Sequence, residues 1–208
     1  MTDEEYNCLH NDVDFSIPVF EIARYEPWKY DSNGRYIPFD WSEYLDIGSI
    51  FEGKVFTKAE YLIYENRMVE AVSEILMCCN IKKLKVLYLE RSDTCKIRSA
   101  IRHICKDLGI KVHPKTIRHI ISLHQGSFVS IIHIPLIMRL LLRDVFYCEL
   151  SAPKEKVYFY TPGNYYVWIR ANMAIEEVRN ICDKFHIFVN PRENDSLEYY
   201  NRIYTSEY

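Results

Sequence analysis

The residues best suited to chemistry are the histidines of the middle of the chain. His113, His119 and His124 are six and five residues apart. Three imidazoles are enough to ligate zinc when a fold brings them together. Those spacings do not stack on one helical face, however, and no cysteine or carboxylate lies close enough in sequence to complete the set. The reading is therefore no metal. The same stretch, from His113 through Lys115 and Arg118 to His119, is also a small basic patch. It suits a phosphate contact, or simply a solvated surface. A histidine-based nuclease needs two placed acid/base groups and a cation for the phosphate. His103, His119, His124 and His133 are of the right type, but nothing in their spacing marks a pair. Phosphate cradles need glycines, so that backbone N–H groups can approach the ligand. The chain has 6 glycines and neither G-x-G-x-x-G nor G-x-x-x-x-G-K. G-x-S-x-G, H-E-x-x-H and EF-hand loops are missing too. The expectation is a protein with no cofactor and no catalytic residues.

Acidic and aromatic residues are more suggestive. Asp40, Trp41, Glu43, Tyr44 and Asp46 form one group, and Glu193, Asp195, Glu198, Tyr199 and Tyr200 a second. Tyrosine and tryptophan anchor interfaces, and carboxylates steer basic partners. The competing reading is that Trp41 and Tyr44 pack on the helix that follows. Charge is unevenly distributed. Residues 1–53 hold 12 Asp/Glu against 3 Lys/Arg, a net of −9. Residues 80–143 hold 13 Lys/Arg against 3 Asp/Glu, a net of +10. Either the two regions neutralise each other across one surface, or one of them meets a partner of opposite sign.

These groups must be positioned by elements that the pattern predicts in turn. Ile17–Arg24 reads as a strand. Asn33-Gly34 reads as a tight turn between Tyr30 and Tyr36. Thr57 and Glu60 form a capping box for a helix running to about Asn80, with Tyr61, Met68, Val72, Ile75 and Cys79 on its inner line. Glu65 interrupts that line, and a carboxylate there must find a partner or lie at the edge of the buried face. Leu84–Glu90 reads as a strand. A helix follows, capped at Asp93 or Thr94, with Ile97, Ile101, Ile104, Cys105 and Leu108 inside and Gly109 as its stop. Ile110–His113 reads as a short strand, which would complete one β-α-β unit and make part of the sheet parallel. Residues 116–131 fit helix or strand. Pro135–Arg143 reads as helix. Val145–Leu150, Val157–Tyr160 and Tyr165–Arg170 read as a three-stranded antiparallel meander. Ala174–Phe185 reads as a helix and Ile187–Asn190 as a last strand. The expected fold is α+β: a mixed sheet with one β-α-β unit and a C-terminal meander, packed against two or three helices. One domain spans 1–208, with 1–16 and 191–208 as loosely ordered tails.

The 208 residues are 49% hydrophobic, enough for a full core, and no run reaches the roughly 18 apolar residues of a membrane span. Phe128–Leu142 comes nearest and is interrupted by His133, Pro135 and Arg139. The first residues are acidic, the wrong sign for a signal peptide. Seven scattered cysteines, most of them in apolar runs, read as free buried thiols in a reducing compartment. Together these place the protein in the cytoplasm.

The order of residues resembles one known family. Trp41-x4-Asp46-Ile47-Gly48-x2-Phe51-x-Gly53-x3-Thr57-x3-Tyr61-x3-Glu65 is similar to an N-terminal pattern of bacterial contact-dependent growth inhibition immunity proteins. Leu142-Arg143-x2-Phe146-x-Cys148-x-Leu150 and Asn164-Tyr165-Tyr166-Val167-Trp168-Ile169 look like the corresponding C-terminal strands. The resemblance covers roughly residues 41–190. The chain departs from the pattern in a polar N-terminal extension and in a Pro162-Gly163-Asn164 turn that has no acidic residue before the paired tyrosines. The resemblance implies a cytosolic inhibitor that binds one to one to the C-terminal toxin domain of a large exported protein. Such toxins are often nucleases with basic clefts. Sorted by chemistry, the partner-binding candidates are Asp40, Glu43, Asp46, Glu193, Asp195, Glu198 and Tyr199. Trp41, Glu65, Tyr165 and Tyr166 match motif positions and serve either binding or the fold. No membrane partner is expected. The rival readings are a nucleic-acid-binding module using residues 80–143, a small hydrolase with a deep pocket, and a structural subunit with a large exposed apolar patch.

Overall fold

A computed structural model describes residues 13–14, 16–24, 44–51, 53–161 and 166–192. Its elements follow from local chemistry. Helix α1, Lys58–Cys78, opens on the capping box: Thr57 Oγ1 accepts from the Glu60 N–H at 3.2 Å, and Glu60 Oε2 accepts from the Thr57 N–H at 2.7 Å. These bonds hold the Glu60 carboxyl below its usual range. Helix α2, Thr94–Leu108, is capped by Asp93, which accepts from the Lys96 N–H at 2.9 Å, and it buries Ile97, Ile101 and Ile104. Helix α3, Pro114–Ser122, is capped by His113, whose Nδ1 accepts from the Lys115 N–H at 3.1 Å. Helix α4, Ile134–Leu142, is apolar on nearly every side and almost wholly buried, as a central helix must be. In α5, Ile175–Lys184, Glu177 accepts from the Ala174 N–H, while alanine has no acceptor to return.

Four of the five helices end in the same left-handed closure. After α2, the Gly109 N–H reaches Lys106 O and the Ile110 N–H reaches Cys105 O, with φ +63° at Gly109. The same pairs of bonds close α1 at Asn80, α4 at Asp144 and α5 at His186, all at positive φ. Asparagine, aspartate and histidine are the non-glycine residues most often found in this conformation, which is why those ends can lack glycine.

The strands are β1 Val19–Ala23, β2 Ile50–Phe51, β3 Lys54–Val55, β4 Lys83–Arg91, β5 Phe128–Ser130, β6 Phe146–Ala152, β7 Val157–Tyr160, β8 Tyr166–Arg170 and β9 Phe188–Arg192. Strands β2 and β3 form a separate hairpin. The other seven make one sheet in the order β5-β4-β6-β7-β8-β1-β9, antiparallel at every pairing. Strand alternation sends Phe146, Cys148 and Leu150 of β6 into the main core with the helices. On the opposite face, Leu87, Tyr158, Tyr160 and Trp168 form a second buried cluster with Val13 and Val19. Pairing of β4 with β6 shifts between Val86 and Tyr88, where Val86 exchanges backbone bonds with Gly126 and Ser127 instead. Helices α1, α4 and α5 lie against the sheet, α2 packs on α4, and α3 packs on α2.

The α+β class and the C-terminal meander are therefore present, but the mixed sheet with a β-α-β unit is not. Residues 110–113 are not a strand. Ile110 belongs to the closure of α2, and His113 and Pro114 start α3, so the chain passes from helix to helix. The ambiguous stretch 116–131 divides between α3 and the edge strand β5. Five helices are described, and three of them, α1, α4 and α5, lie against the sheet, within the two or three expected to pack on it. Order extends into both expected tails: Val13 is buried, and β9 runs through Pro191 and Arg192. The expected Asn33-Gly34 turn lies outside the described residues. Of the six described cysteines, none forms a disulfide, but only Cys148 and Cys182 are buried, whereas Cys78 and Cys95 are exposed. Burial pushes the Cys182 thiol up to about 12. No helix among the described residues is long and apolar enough to cross a membrane.

A Cβ at Gly109 would meet nothing within 4 Å, so Gly109→Ala tests the backbone conformation alone. The variant is expected to lose about 1–2 kcal/mol of unfolding free energy in urea denaturation, with an unchanged m-value. An unchanged midpoint would mean that the left-handed closure is not strained for an L-residue.

Candidate partner-binding surface

Glu65 finds its partner inside the molecule. Arg143 Nε donates to Glu65 Oε1 at 2.6 Å and its NH2 donates to Oε2 at 2.9 Å, a two-point ion pair. The third arm of Arg143 donates to Asp107 Oδ2 at 3.0 Å. Lys58 Nζ lies 2.5 Å from Asp107 Oδ1. Arg139 Nε stands 3.5 Å from Glu65 Oε2, and its NH2 donates to Asn66 Oδ1 at 2.6 Å. The Arg143 guanidinium also sits over the Tyr44 ring, 4.7 Å from its centroid. The side chains of Glu65, Arg143 and Asp107 are 0–2% exposed. Burial lowers the guanidinium pKa of Arg143, but the two carboxylates more than compensate and hold it above its usual value. Burial raises Asp107, and its bonds to Lys58 and Arg143 reverse that to a net lowering. The network joins α1, α2, the end of α4 and the turn at Tyr44. Tyr61 strengthens it by donating its hydroxyl to Leu142 O at 3.1 Å.

This scaffold carries several exposed apolar side chains. Tyr44–Asp46 is one turn of 3-10 helix, with Tyr44 edge-on to Tyr61 at 5.3 Å between ring centroids. The β2–β3 hairpin follows, closed by backbone bonds from Gly48 to Phe56 and from Phe56 to Ser49. Phe56 is buried, and the Arg24 guanidinium packs over its ring and that of Tyr64. Ile50 and Val55 pair across the hairpin and face solvent at 67% and 51% exposure, with Leu45 at 72%. Ile63, in the second turn of α1, is also exposed. Among the described residues, four of the nine exposed large apolar side chains thus fall between residues 45 and 63. Next to them is a cleft of about 200 Å³ between Tyr44 and Leu45, the Lys96–His103 stripe of α2, and the turn from Arg143 to Val145.

The structure treats the sequence candidates differently. Asp46 is partly buried in the 3-10 turn beside the hairpin. Glu65 is internal and paired, so it serves the fold and not a partner contact. Tyr166 opens β8 opposite Ala23. Asp40, Trp41, Glu43, Tyr165, Glu193, Asp195, Glu198, Tyr199 and the side chain of Tyr166 lie outside the described residues. Tyr44 packs on α1, as one of the two readings of that segment expected. The histidines are dispersed. His113 caps α3, and His124 Nδ1 is 3.0 Å from Ser127 Oγ. His119 alone lies against another of them, His133, with ring centroids 5.2 Å apart and planes tilted by 45°. Burial, with His119 nearby, lowers the pKa of His133. Among the described residues, no three metal-binding side chains converge. Asp107, the exposed hairpin and, apart from His103, the cleft stripe were not singled out from sequence. The signal for the stripe was present, because Lys96, Ser99, Ala100 and His103 share the helix face that the buried isoleucines leave open.

Compared with known proteins, the chain matches no protein-family model, no curated protein and no solved structure.

Removing one member of a buried pair strands the other. Arg143→Leu is expected to cost about 3–5 kcal/mol in chemical denaturation, while Glu65→Leu/Arg143→Leu recovers part of that loss. A double variant no more stable than the worse single variant would contradict this coupling. Because the pKa of Asp107 is lowered on folding, its contribution is complete above its unfolded value near 3.8 and is lost as pH falls below it. Asp107→Asn should therefore show a shallower fall in stability than the parent between about pH 4 and pH 2. Parallel acid limbs would sink the assignment.

Proposed function

We propose that this chain is an immunity protein. In this reading it binds the C-terminal toxin domain of a cognate exported protein in the cytosol, one to one, and neutralises it without catalysing a reaction. The observation that carries the reading is the outward-facing Leu45–Ile50–Val55 group, set beside Asp46 on a hairpin anchored by Phe56 and by the buried ion pairs. Exposed aliphatics on a rigid support suit a protein contact, and a carboxylate at their edge suits a basic partner. The toxin class, a nuclease, comes from the family resemblance. The resemblance also gains support from its own residues: Glu65 from its N-terminal pattern and Arg143 from its C-terminal pattern are direct partners.

A second reading has its own support. Arg98, Arg102 and Lys106 of α2 and Lys115 and Arg118 of α3 are all exposed, on helices that pack together, which suits a phosphate backbone. It is weakened because Arg139 and Arg143 are committed internally and Arg91 donates to the carbonyls of Ile121 and Leu123 at the end of α3.

Co-expression with the C-terminal domain of the exported protein encoded beside this chain is expected to give a stable complex and to restore growth. Asp46→Lys should slow association, and Ile50→Asp/Val55→Asp should weaken binding at least tenfold, with the hairpin variant keeping the parent melting temperature. If no complex forms and the chain is instead retained on nucleic acid with steep salt dependence, the second reading replaces the first.

A further inference from the structure

Among the described helices, α3 is the most lightly held. Its one buried residue is Ile120, whereas each of the other four helices buries at least three. It packs on α2, and Arg91 holds its end by donating to the carbonyls of Ile121 and Leu123. It is joined to the 3-10 turn Ile131–His133, which leads into α4, by the contact of His119 with His133. The two rings lie 5.2 Å apart between centroids and are tilted by 45°. Among the described residues, Nδ1 of His133 is buried and meets no hydrogen-bonding partner.

No acid balances this pair. The turn bonds to the start of β4 through the Ile131 N–H and Lys82 O, and α2 packs on α3. The charged side chains that these elements and α4 bring to the region are Lys115, Arg118, Arg102, Lys106, Lys82 and Arg139, all of them cations. Their acids are engaged elsewhere. Asp107 pairs with Lys58 and Arg143, Asp93 caps α2, and Glu90 accepts from Tyr88. Glu65 of α1 is taken by Arg143 and Arg139. Two neutral imidazoles pack well against each other. A proton on either has no carboxylate to balance it, and a second proton would set two like charges in contact.

We infer that acidification releases α3 from the turn that leads into α4. The closed form keeps His133 neutral, and the released form lets both rings take up protons in water. Burial and His119 hold His133 below its usual value near 6.5. Closure is therefore complete above that pH and weakens as pH falls below it, because the open form then binds more protons. Release is confined to α3. The Ile110 N–H is tied to Cys105 O before it, and the Gly126 N–H to Val86 O after it. Lys115 and Arg118 move with the helix, so the cationic face that α2 and α3 share belongs to the closed form. No hairpin residue takes part, and the release is independent of the immunity reading.

The test is amide hydrogen exchange of the full chain, followed by NMR on both sides of the usual histidine value and corrected for intrinsic rates. Opening at Ile117, Ile120 and Ile121 is expected to rise by up to about tenfold per pH unit below roughly 6.5, the limit for one proton. Met68 of α1 and Ile104 of α2 should show no such change. The His133 ring signals of the parent should titrate below their usual value. His133→Phe keeps a ring in place but takes no proton, so it should abolish the pH dependence. His133→Gln should do the same if phenylalanine disturbs the packing. His119→Phe, which removes the repulsion but not the burial, should reduce it, and His124→Gln should leave it intact. Opening of α3 that does not respond to pH, that responds fully in the His133 variants, or that spreads equally to α1 and α2 overturns the inference.

Discussion

The pairing of Arg143 with Glu65 is the constraint on which the arrangement of helices depends. Desolvating two charges is unfavourable unless geometry and further hydrogen bonds compensate, and here both oxygens of Glu65 are engaged by one guanidinium. The third arm of Arg143 then determines where Asp107 must stand, and with it the phase of α2 about its own axis. An apolar core tolerates small slides and rotations. A two-point ion pair does not, since a shift of about 1 Å breaks its hydrogen-bond geometry. Arg143 is itself placed by the left-handed closure at Asp144, which ends α4 and turns the chain into β6 within two residues. The turn, the ion pair and the cleft are thus one construction: moving Asp144 would move the guanidinium, and moving the guanidinium would unseat Tyr44 at the mouth of the cleft.

Much of the fold was legible because its signals are local. Thr57 with Glu60, Asp93 and Gly109 each satisfy backbone groups a few residues away, so they mark helix ends without knowledge of tertiary structure. The meander was legible for the same reason, since strands joined by short turns pair with their neighbours. Ile110–His113 was misread because four residues in which β-branched Ile110 and Val112 alternate, between a glycine and a proline, fit two outcomes locally. Histidine at position 113 decided between them, since an imidazole acceptor just before Pro114 caps a helix. Reading a parallel crossover there also required knowing the neighbours of β4, which are long-range partners at residues 128–130 and 146–151.

The candidate site was less legible, and the reason is burial. Glu65 was recognised as a polar intruder on an apolar line, and the expectation of a partner was correct. Nothing in its own neighbourhood pointed to residue 143. The positive middle segment was read as a surface property, yet two of its arginines and one of its three acids are part of the internal network. Segment charge sums treat every ionisable residue as exposed, so they overstate the field wherever charges are paired inside. The hairpin residues Ile50 and Val55 look from sequence like ordinary strand positions. Only the structure shows that the pair faces solvent, while Phe56, the next residue along, holds the hairpin to the core.

A surface with Asp46 beside an apolar hairpin and Lys96 on the adjoining cleft is two-signed over a short distance. Such a surface contributes less to affinity through charge than its apolar centre does, but it discriminates strongly between orientations. A partner rotated by half a turn would set its acidic side chain against Asp46 and its basic one against Lys96, and each mismatch opposes docking. Under the proposed function this matters, because an immunity protein must recognise one partner among many of similar overall charge. A uniformly acidic face would attract any basic protein or compete with nucleic acid for it, whereas alternating charge around a fixed hydrophobic centre demands a matching order on the other side. The rigidity supplied by the buried ion pair is what makes that demand effective, because a mobile hairpin or helix would let the charges readjust to the wrong partner.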